Sequence, residues 1–249
     1  MFRKILKITG WLLFFAFVIL TLAFTTREVS DVKCNRIEVL YDGHQTISLG
    51  EDEILKMVKN ADSKVLGQDM NRINAEQIEA EIEKNVAVEK AEVYKTIARD
   101  TSGYKGVLAV KVQYRVPVLR VMTGNDDYFL DKNGVRIPVS GEYSARVLVV
   151  TGTLDSDFAG KNLLPFVLFL EKNDFWKAQI EQIEVLSDQE LILTPLVGSH
   201  AIELGTLENF REKMDHLRTF YEDVLAQNNW NKYKSINLKF KNQIIGTKK

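Results

Sequence analysis

The chain has 249 residues, 45% of them hydrophobic, and its 33 basic side chains nearly balance 34 acidic ones. This length and composition indicate one large or two small folded domains, and the near-neutral charge excludes the bulk basic character of a nucleic-acid-binding protein. The single cysteine, Cys34, excludes an intrachain disulfide and a zinc site made from several thiolates.

The first predicted element is a membrane-spanning helix over residues 8–26. This run of 19 residues contains no ionisable side chain, and a helix of that length rises about 29 Å, close to the hydrocarbon thickness of a bilayer. Three basic residues precede the run, whereas charges of both signs follow it, namely Arg27, Glu28 and Asp31. The positive-inside tendency therefore predicts that residues 1–7 stay in the cytoplasm and that the remainder is exported.

The side chains predicted to contact lipid are Trp11, Leu12, Leu13, Phe14, Phe15, Phe17, Val18, Ile19, Leu20 and Leu22. A cleaved signal peptide is the main alternative, but the run is longer than the usual apolar core of about 7–15 residues and no A-x-A-like cleavage site follows it. A buried helix of a soluble protein is the third interpretation. The residues before Cys34 do not resemble those of a lipidated cysteine, so Cys34 is not predicted to carry an anchor.

After a connector of residues 27–35, residues 36–116 are predicted to form a β-α-α-β-β domain. Ser48 and Glu51 have the spacing of a capping box, and Asn74 is a second helix start, followed by Ile78 and Ile82 one turn apart. The predicted strands, which alternate polar and apolar side chains, are 36–41, 88–96 and 107–114. Two helices on one face of a three-stranded sheet bury both apolar faces in a single core.

Residues 117–249 are predicted to form a β-rich domain with an open antiparallel sheet and packed helices, which makes the fold class α+β. Gly134 supplies the positive φ angle of a hairpin turn. Residues 147–150 read as a strand buried on both faces, and residues 207–224 as one long amphipathic helix that includes Val224 on its apolar face. The other predicted elements are a helix at 163–171, a three-strand meander at 180–186, 190–196 and 200–204, and a terminal strand at 235–246.

Four segments in this order resemble the FtsQ/DivIB bacterial cell-division family. Residues 85–93 (NVAVEKAEV) are similar to the stretch that joins the family's second helix to its second strand, and residues 112–118 (VQYRVPV) to its E-R-x-P-V domain junction. Residues 128–134 (YFLDKNG) resemble its hydrophobic-Asp-x-x-Gly hairpin, and residues 236–240 (INLKF) its Ile-Asp-Leu-Arg-Tyr strand. Tyr114 departs from the pattern, since the family usually has Glu there.

The resemblance implies a POTRA-type domain beside the membrane, a β domain beyond it, and no catalysis, cofactor, nucleic acid or small-molecule substrate. It implies a scaffold at the division septum, held in the cell inner membrane with its domains in the periplasm. Its implied partners are single-pass coiled-coil proteins of the FtsB and FtsL type and the septal peptidoglycan synthesis complex. The partner is expected to add a strand to the sheet edge near the C-terminus, because an edge strand offers unpaired backbone groups.

The partner-binding residues expected from this resemblance are Tyr233, Ile236, Asn237, Leu238, Lys239, Phe240, Lys241, Asn242, Gln243, Ile244 and Ile245. Strand alternation places Ile236, Leu238 and Phe240 on one face of the sheet, with Asn237, Lys239 and Lys241 on the other. The alternative interpretation is a closing strand whose exposed lysines discourage unwanted pairing.

Three other functional classes compete with the scaffold interpretation. An enzyme is disfavoured because no nucleophile, metal-binding or phosphate-loop motif is present, and the three histidines, His44, His200 and His216, are expected in loops or at the surface. The acidic pairs 126/127 and 155/157 are expected to be charged turns rather than catalytic or calcium-binding groups. A POTRA-type polypeptide-transport or outer-membrane assembly factor is the main alternative to the scaffold, and an anchored ligand-binding sensor is another.

Overall fold

The computed structural model describes residues 10–21, 32–42, 49–101, 103–140, 145–227 and 229–249. Residues 10–21 are helical, while the other residues of the predicted span, 8, 9 and 22–26, lie outside the described ranges. Within those ranges, none of the helices has the length and apolar character needed to cross a bilayer. The chain divides into two compact units, and the boundary falls between Tyr114 and Arg115.

The first unit contains a three-stranded sheet and two helices in the predicted β-α-α-β-β order. Its sheet has the order β1-β3-β2, with β1 parallel and β2 antiparallel to β3. A short 3₁₀ helix, Met70–Arg72, precedes the second α-helix. The elements are β1 (Cys34–Tyr41), α1 (Glu51–Ala61), α2 (Ala75–Glu83), β2 (Val88–Asp100) and β3 (Gly103–Tyr114).

The two helices of this unit begin in different ways. Asn74 Oδ1 accepts a hydrogen bond from the Gln77 N–H at 3.2 Å, which confirms the predicted cap of α2. The predicted capping box of α1 is wrong: Gly50 is the N-cap and Glu51 is already the first helical residue, so Glu51 cannot occupy the third position that the box requires. Ser48 itself lies outside the described residues.

The second unit is built on a nine-stranded sheet with the order β12-β11-β10-β9-β8-β7-β4-β5-β6. Its strands are β4 (Pro117–Met122), β5 (Asp127–Asp131), β6 (Arg136–Pro138), β7 (Leu148–Gly152), β8 (Ile180–Val185), β9 (Leu191–Pro195), β10 (Ala201–Gly205), β11 (Tyr233–Asn237) and β12 (Ile245–Lys248). Its main helices are α3 (Leu164–Glu171), α4 (Asp174–Gln179) and α5 (Phe210–Phe220). A shorter helical piece, Ser156–Phe158, and a π-helical turn, Ala159–Leu163, lead into α3.

The sheet is mixed, which corrects the predicted antiparallel arrangement. β4 with β7, β7 with β8 and β10 with β11 are parallel pairs, while the remaining pairs in this sheet are antiparallel. Helices α3 and α4 connect β7 to β8, and α5 connects β10 to β11. A helix of this kind carries the chain back along the sheet, so the strand that follows runs parallel to the strand before it.

Two local predictions for the second unit meet different outcomes. Gly134 has a φ of 78°, as predicted, and the hairpin around it is held by buried Asp131, whose Oδ1 accepts the Asn133 and Val135 N–H groups at 2.8 Å each. β7 is not buried on both faces. Only Val150 is fully buried, while Leu148 and Val149 remain partly exposed.

The helix that begins with α5 changes its hydrogen-bond pattern at its C-terminal end. Tyr221–Leu225 forms a π-helical turn, in which the Ala226 N–H donates to the Tyr221 carbonyl five residues earlier at 3.0 Å. The wider turn shifts the buried stripe by one residue. Leu225 is therefore buried, and Val224, which the 3.6-residue periodicity placed on the apolar face, is only half-buried.

Gly152 gives a stability prediction, because its φ is 102° and a Cβ added there would lie 2.1 Å from the Val185 carbonyl oxygen. Gly152→Ala must open the pairing of β7 with β8, and we expect it to destabilise the second unit by about 2 kcal/mol or more. Urea unfolding of the full chain, followed by tryptophan fluorescence, measures this loss since Trp176 is buried in the second unit.

Gly160→Ala is the matched control, because nothing lies within 4 Å of a Cβ built at this helical position. We expect its unfolding midpoint to stay unchanged or to rise slightly. An unchanged midpoint for Gly152→Ala would contradict the proposed close approach of the two strands.

Candidate functional site

The C-terminal segment forms two strands rather than the single predicted strand at 235–246. β11 and β12 pair antiparallel, and the chain reverses between them through a turn in which Asn242 has a φ of 57°. Asn237 Oδ1 accepts the Lys239 N–H at 2.9 Å, and this local bond offers the backbone an alternative to continuing the ladder. β11 therefore ends at Asn237. We call residues 238–244 the C-terminal turn.

The open edge near the C-terminus is β12. β11 lies inside the sheet, between β10 and β12, so it offers no free side to a partner. In the part of the chain that the structure describes, β12 pairs only with β11. One side of Ile245–Lys248 thus presents backbone donors and acceptors that an incoming strand can pair with.

The predicted binding residues separate into a buried set and an exposed set. Ile236 and Leu238 belong to the hydrophobic core, and Tyr233 and Ile244 pack against it. Phe240 is 54% exposed, which corrects its predicted place on one face with Ile236 and Leu238, because the strand has ended before it. The exposed predicted residues are Lys239, Phe240, Lys241, Asn242, Gln243 and Ile245, and Asn237 is half-buried.

Tyr233 connects the edge strand to the helical layer. Its ring makes an edge-to-face contact with Phe220 of α5 at a centroid distance of 5.5 Å. The same ring lies so close to Gly246 of β12 that an added Cβ would be 2.7 Å from Cε1. The absence of a side chain at Gly246 therefore allows β12 to lie against Tyr233.

Polar contacts fix the start of the C-terminal turn to two neighbouring segments. Asn237 Nδ2 donates to Glu203 Oε2 at 2.7 Å, and the Leu238 N–H donates to the Glu203 carbonyl at 2.9 Å. Lys239 forms an ion pair with Glu190, and this carboxylate raises the pKa of the Lys239 ammonium group. The charge of Lys239 is consequently paired within its own domain, and this ion pair holds the C-terminal turn beside β9.

A cleft of about 260 Å³ separates the C-terminal turn from the beginning of α5. Its wall on the α5 side carries both signs of charge, from Glu208, Glu212 and Lys213. Lys213 Nζ donates to the Leu204 and Thr206 carbonyls at 3.0 and 2.7 Å, and burial lowers the pKa of this ammonium group. Among the described residues no group of three or more His, Cys, Asp or Glu side chains is arranged to hold a metal ion.

His200 lies in the loop before β10, as one of the two expected places allows, but it is buried rather than at the surface. It is 2% exposed, and its Nε2 lies 2.9 Å from the Tyr221 hydroxyl oxygen in the core of the second unit. Desolvation lowers the pKa of the imidazole, so burial favours the neutral form. His216 lines the cleft beside α5, and His44 lies outside the described residues.

The two acidic pairs make local contacts. Asp127 forms a bidentate pair with Arg120 at 2.8 and 2.6 Å, and this guanidinium lowers the pKa of the Asp127 carboxyl. Asp155 Oδ1 caps a helical turn by accepting the Phe158 N–H at 2.7 Å, and Asp157 pairs with Lys161. These three carboxylates therefore have bonding partners within the second unit.

Nine of the ten predicted membrane-anchor side chains lie on the helix of residues 10–21. Eight of them are between 54% and 72% exposed, and Val18 is half-buried. Leu22 lies outside the described residues. The exposed set consists of Trp11, Leu12, Leu13, Phe14, Phe15, Phe17, Ile19 and Leu20.

The residues that position the C-terminal edge are mostly ones that the sequence did not single out. Glu203 meets Asn237 only because β10 and β11 are parallel, and an antiparallel prediction conceals that contact. Gly246 did carry a signal, since a glycine inside an alternating strand marks a close approach of another group.

Comparison with known families gives two matches that together cover most of the chain. A family model described as FtsQ/DivIB, C-terminal related, matches residues 116–247, and a model of a POTRA-like domain matches residues 32–101. A search of curated proteins finds none that matches this sequence. The first match spans more than half of the chain and includes nearly all of the C-terminal edge.

The buried imidazole predicts a loss of stability in mild acid. The unfolded chain takes up the His200 proton near the ordinary pKa of about 6.5, whereas the folded chain takes it up at a lower pH. As the pH falls from about 7.5 to 5.5, protonation therefore favours the unfolded state. Urea midpoints across this range should decrease for the parent chain and decrease less for His200→Gln.

His216→Gln is the control for this experiment, because it removes a histidine that does not bond to Tyr221. We expect its urea midpoint to decrease with falling pH as much as that of the parent chain. Equal losses for the parent and His200→Gln would contradict the prediction.

Proposed function

Because the chain belongs to the FtsQ/DivIB family of bacterial cell-division proteins, we propose that it is a single-pass membrane scaffold of the division machinery. Members of this family are generally non-catalytic proteins of the division-site membrane. In the proposed role, the chain links septal peptidoglycan synthesis to small coiled-coil partners of the FtsB and FtsL type. The observation that carries the proposal is a family match whose residues include most of an open edge strand, β12.

The two ends of the nine-stranded sheet support β12 as the binding edge. The other edge strand, β6, contains Pro138, which has no backbone N–H to offer a partner strand. The Arg136 guanidinium of that edge lies 3.7 Å above the centre of the Tyr128 ring and is thus occupied within the domain. β12 contains no proline, and Phe240 and Ile245 leave apolar surface exposed beside it.

We propose that residues 8–26 anchor the scaffold in the inner membrane, with both folded units in the periplasm. The described helix of residues 10–21 has apolar side chains exposed around its circumference, and such a helix is stable when lipid surrounds it. The basic residues Arg3, Lys4 and Lys7 orient it with its N-terminus in the cytoplasm.

The anchor predicts that the full chain resists carbonate extraction from membranes. Phe15→Arg/Ile19→Arg should release it, because each arginine near the centre of a span costs about 2.5–3.5 kcal/mol of insertion energy. The matched control, Phe15→Leu/Ile19→Leu, should stay in the membrane. Intact mass spectrometry of the parent would contradict the anchor if residues 8–26 had been removed, because the segment would then be a signal peptide.

The partner-binding edge is tested best by point variants. A truncation before Tyr233 removes Ile236 and Leu238 from the core, so that loss of binding would report a damaged domain. Phe240 and Ile245 are exposed, and their replacement changes the edge without opening the core. Leu196 is 59% exposed on the same domain and provides a matched control.

We expect Phe240→Asp/Ile245→Asp to reduce recovery of small coiled-coil partners from detergent-solubilised membranes at least about tenfold, because charge replaces the apolar contact. Mass spectrometry of proteins bound to the tagged full chain measures this loss, and Leu196→Asp should bind like the parent. Equal recovery of these partners by Phe240→Asp/Ile245→Asp and by Leu196→Asp would contradict the proposed role of this edge. Recovery of outer-membrane assembly factors by the parent would replace the division role with the transport role.

A further inference from the structure

The chain enters the first unit beside Gly106, the fourth of the 12 residues of β3. β1 is parallel to β3, and its first residue, Cys34, is the partner of Gly106. The Gly106 N–H also donates to the Lys33 carbonyl at 3.0 Å. Residues 27–33 connect this point to the proposed membrane span, and seven residues extend no further than about 24 Å. Gly106 is therefore near the membrane surface whenever residues 8–26 are in the bilayer.

The β2–β3 hairpin continues past this entry point. Beyond Gly106 the two strands form three more residue pairs, from Ala98 with Lys105 to Asp100 with Gly103, which add about 10 Å of strand. The opposite end of β3 is Tyr114, where the first unit ends. The hairpin therefore projects on the side of the unit at which the chain arrives from the span. We call residues 97–101 and 103–105 the hairpin tip.

The helical layer covers the hairpin only as far as Gly106. Met70 lies there against the sheet, and a Cβ on Gly106 would be 2.5 Å from its Sδ. Past this point two large apolar side chains emerge into solvent, since Ile97 is 42% exposed and Tyr104 is 43% exposed. These two residues carry the exposed apolar surface of the hairpin tip.

Basic side chains accompany this apolar surface. Arg99 pairs with Tyr104 and places its guanidinium 5.5 Å from the centre of the Tyr104 ring, whereas Lys105, the next residue of β3, lies on the opposite face of the hairpin. The tip carries these two basic residues against one acidic residue, Asp100, while the whole chain is almost neutral. Aromatic rings concentrate at the interface of a bilayer, and arginine and lysine beside them bind anionic headgroups.

We propose that the hairpin tip contacts the surface of the membrane and binds anionic phospholipid headgroups. The proposal rests on the membrane anchor proposed above, because the anchor brings Gly106 within reach of the surface. Tyr104 and Ile97 then lie in the headgroup region, and Arg99 and Lys105 meet the phosphates. Together with the connector, this contact holds the first unit at two points of its membrane-facing end.

The test uses the full chain in lipid nanodiscs of phosphatidylcholine, with or without a third of phosphatidylglycerol. A nitroxide at Thr101→Cys reports on the tip, and a nitroxide at Gln113→Cys reports on the other end of the same hairpin. Both native side chains are exposed. Cys34 is 1% exposed. Labelling the parent chain under the same conditions measures how much nitroxide this native cysteine takes up. Accessibility to oxygen relative to a water-soluble nickel complex distinguishes lipid from water at each site.

We expect this ratio to be at least about threefold higher at position 101 than at position 113 in the anionic discs, and to fall in about 1 M salt because the charges are then screened. Arg99→Gln/Lys105→Gln should lower the ratio at position 101 to that at position 113. The charge-matched control on α1, Lys56→Gln/Lys59→Gln, should leave it unchanged.

Equal ratios at the two positions in discs that contain the inserted chain would overturn the lipid contact while leaving the anchor intact. Failure of the chain to co-elute with the discs would overturn the anchor, and the lipid contact with it. A ratio that stays high in the Arg99→Gln/Lys105→Gln variant would overturn the assignment of headgroup binding to these two residues.

Discussion

The parallel pairing of β11 with β10 is the constraint on which the C-terminal edge depends. α5 and the π-helical turn carry the chain back along the sheet, so β11 runs in the direction of β10, with Ala201 opposite Ser235. The strand that follows can then close the sheet only by reversing, and the C-terminal turn brings β12 antiparallel to β11. The open edge therefore consists of the last strand of the fold, four residues long, and its position is set by a crossover that lies earlier in the sequence.

Features that depend on neighbouring residues could be predicted from the sequence. Asn74 starts α2, and Ile78 and Ile82 occupy its buried face, because the cap and the helical period involve residues within two turns. Gly134 was predicted for the same reason, since the turn needs its positive φ angle. The π-helical turn after α5 was not predicted. It widens one turn, so that Leu225 is buried in place of Val224. Because both residues are apolar, the sequence does not reveal that shift.

Features that depend on distant residues could not be predicted in this way. Ile236 and Leu238 alternate correctly, and apolar residues continue to Phe240, so nothing local shows that β11 ends at Asn237. The end of β11 becomes clear only from the structure, in which the Glu203 carboxylate accepts a hydrogen bond from the Asn237 amide across the parallel pair. The burial of His200 has the same origin, because its partner, Tyr221, reaches it through the packing of the helical layer onto the sheet. The sequence thus placed strands of the sheet in the C-terminal segment, but it did not identify β12 as the edge strand, and partner binding at this edge stays a prediction.

The length of β12 limits how much binding free energy its backbone supplies. About half of the backbone groups of an edge strand point outward, and each hydrogen bond contributes a net 0.5–1.5 kcal/mol or so. Strand addition to four residues therefore supplies roughly 2–6 kcal/mol, whereas a micromolar complex requires about 8 kcal/mol. Burial of the exposed Phe240 and Ile245 side chains in the proposed complex would supply part of the difference. In the proposed scaffold both proteins are attached to one membrane, and this attachment would supply the rest because it raises the effective concentration of the partner at the edge. A short edge in the proposed scaffold would therefore be selective, because it would bind weakly to strands in solution and tightly to a partner held in the same bilayer.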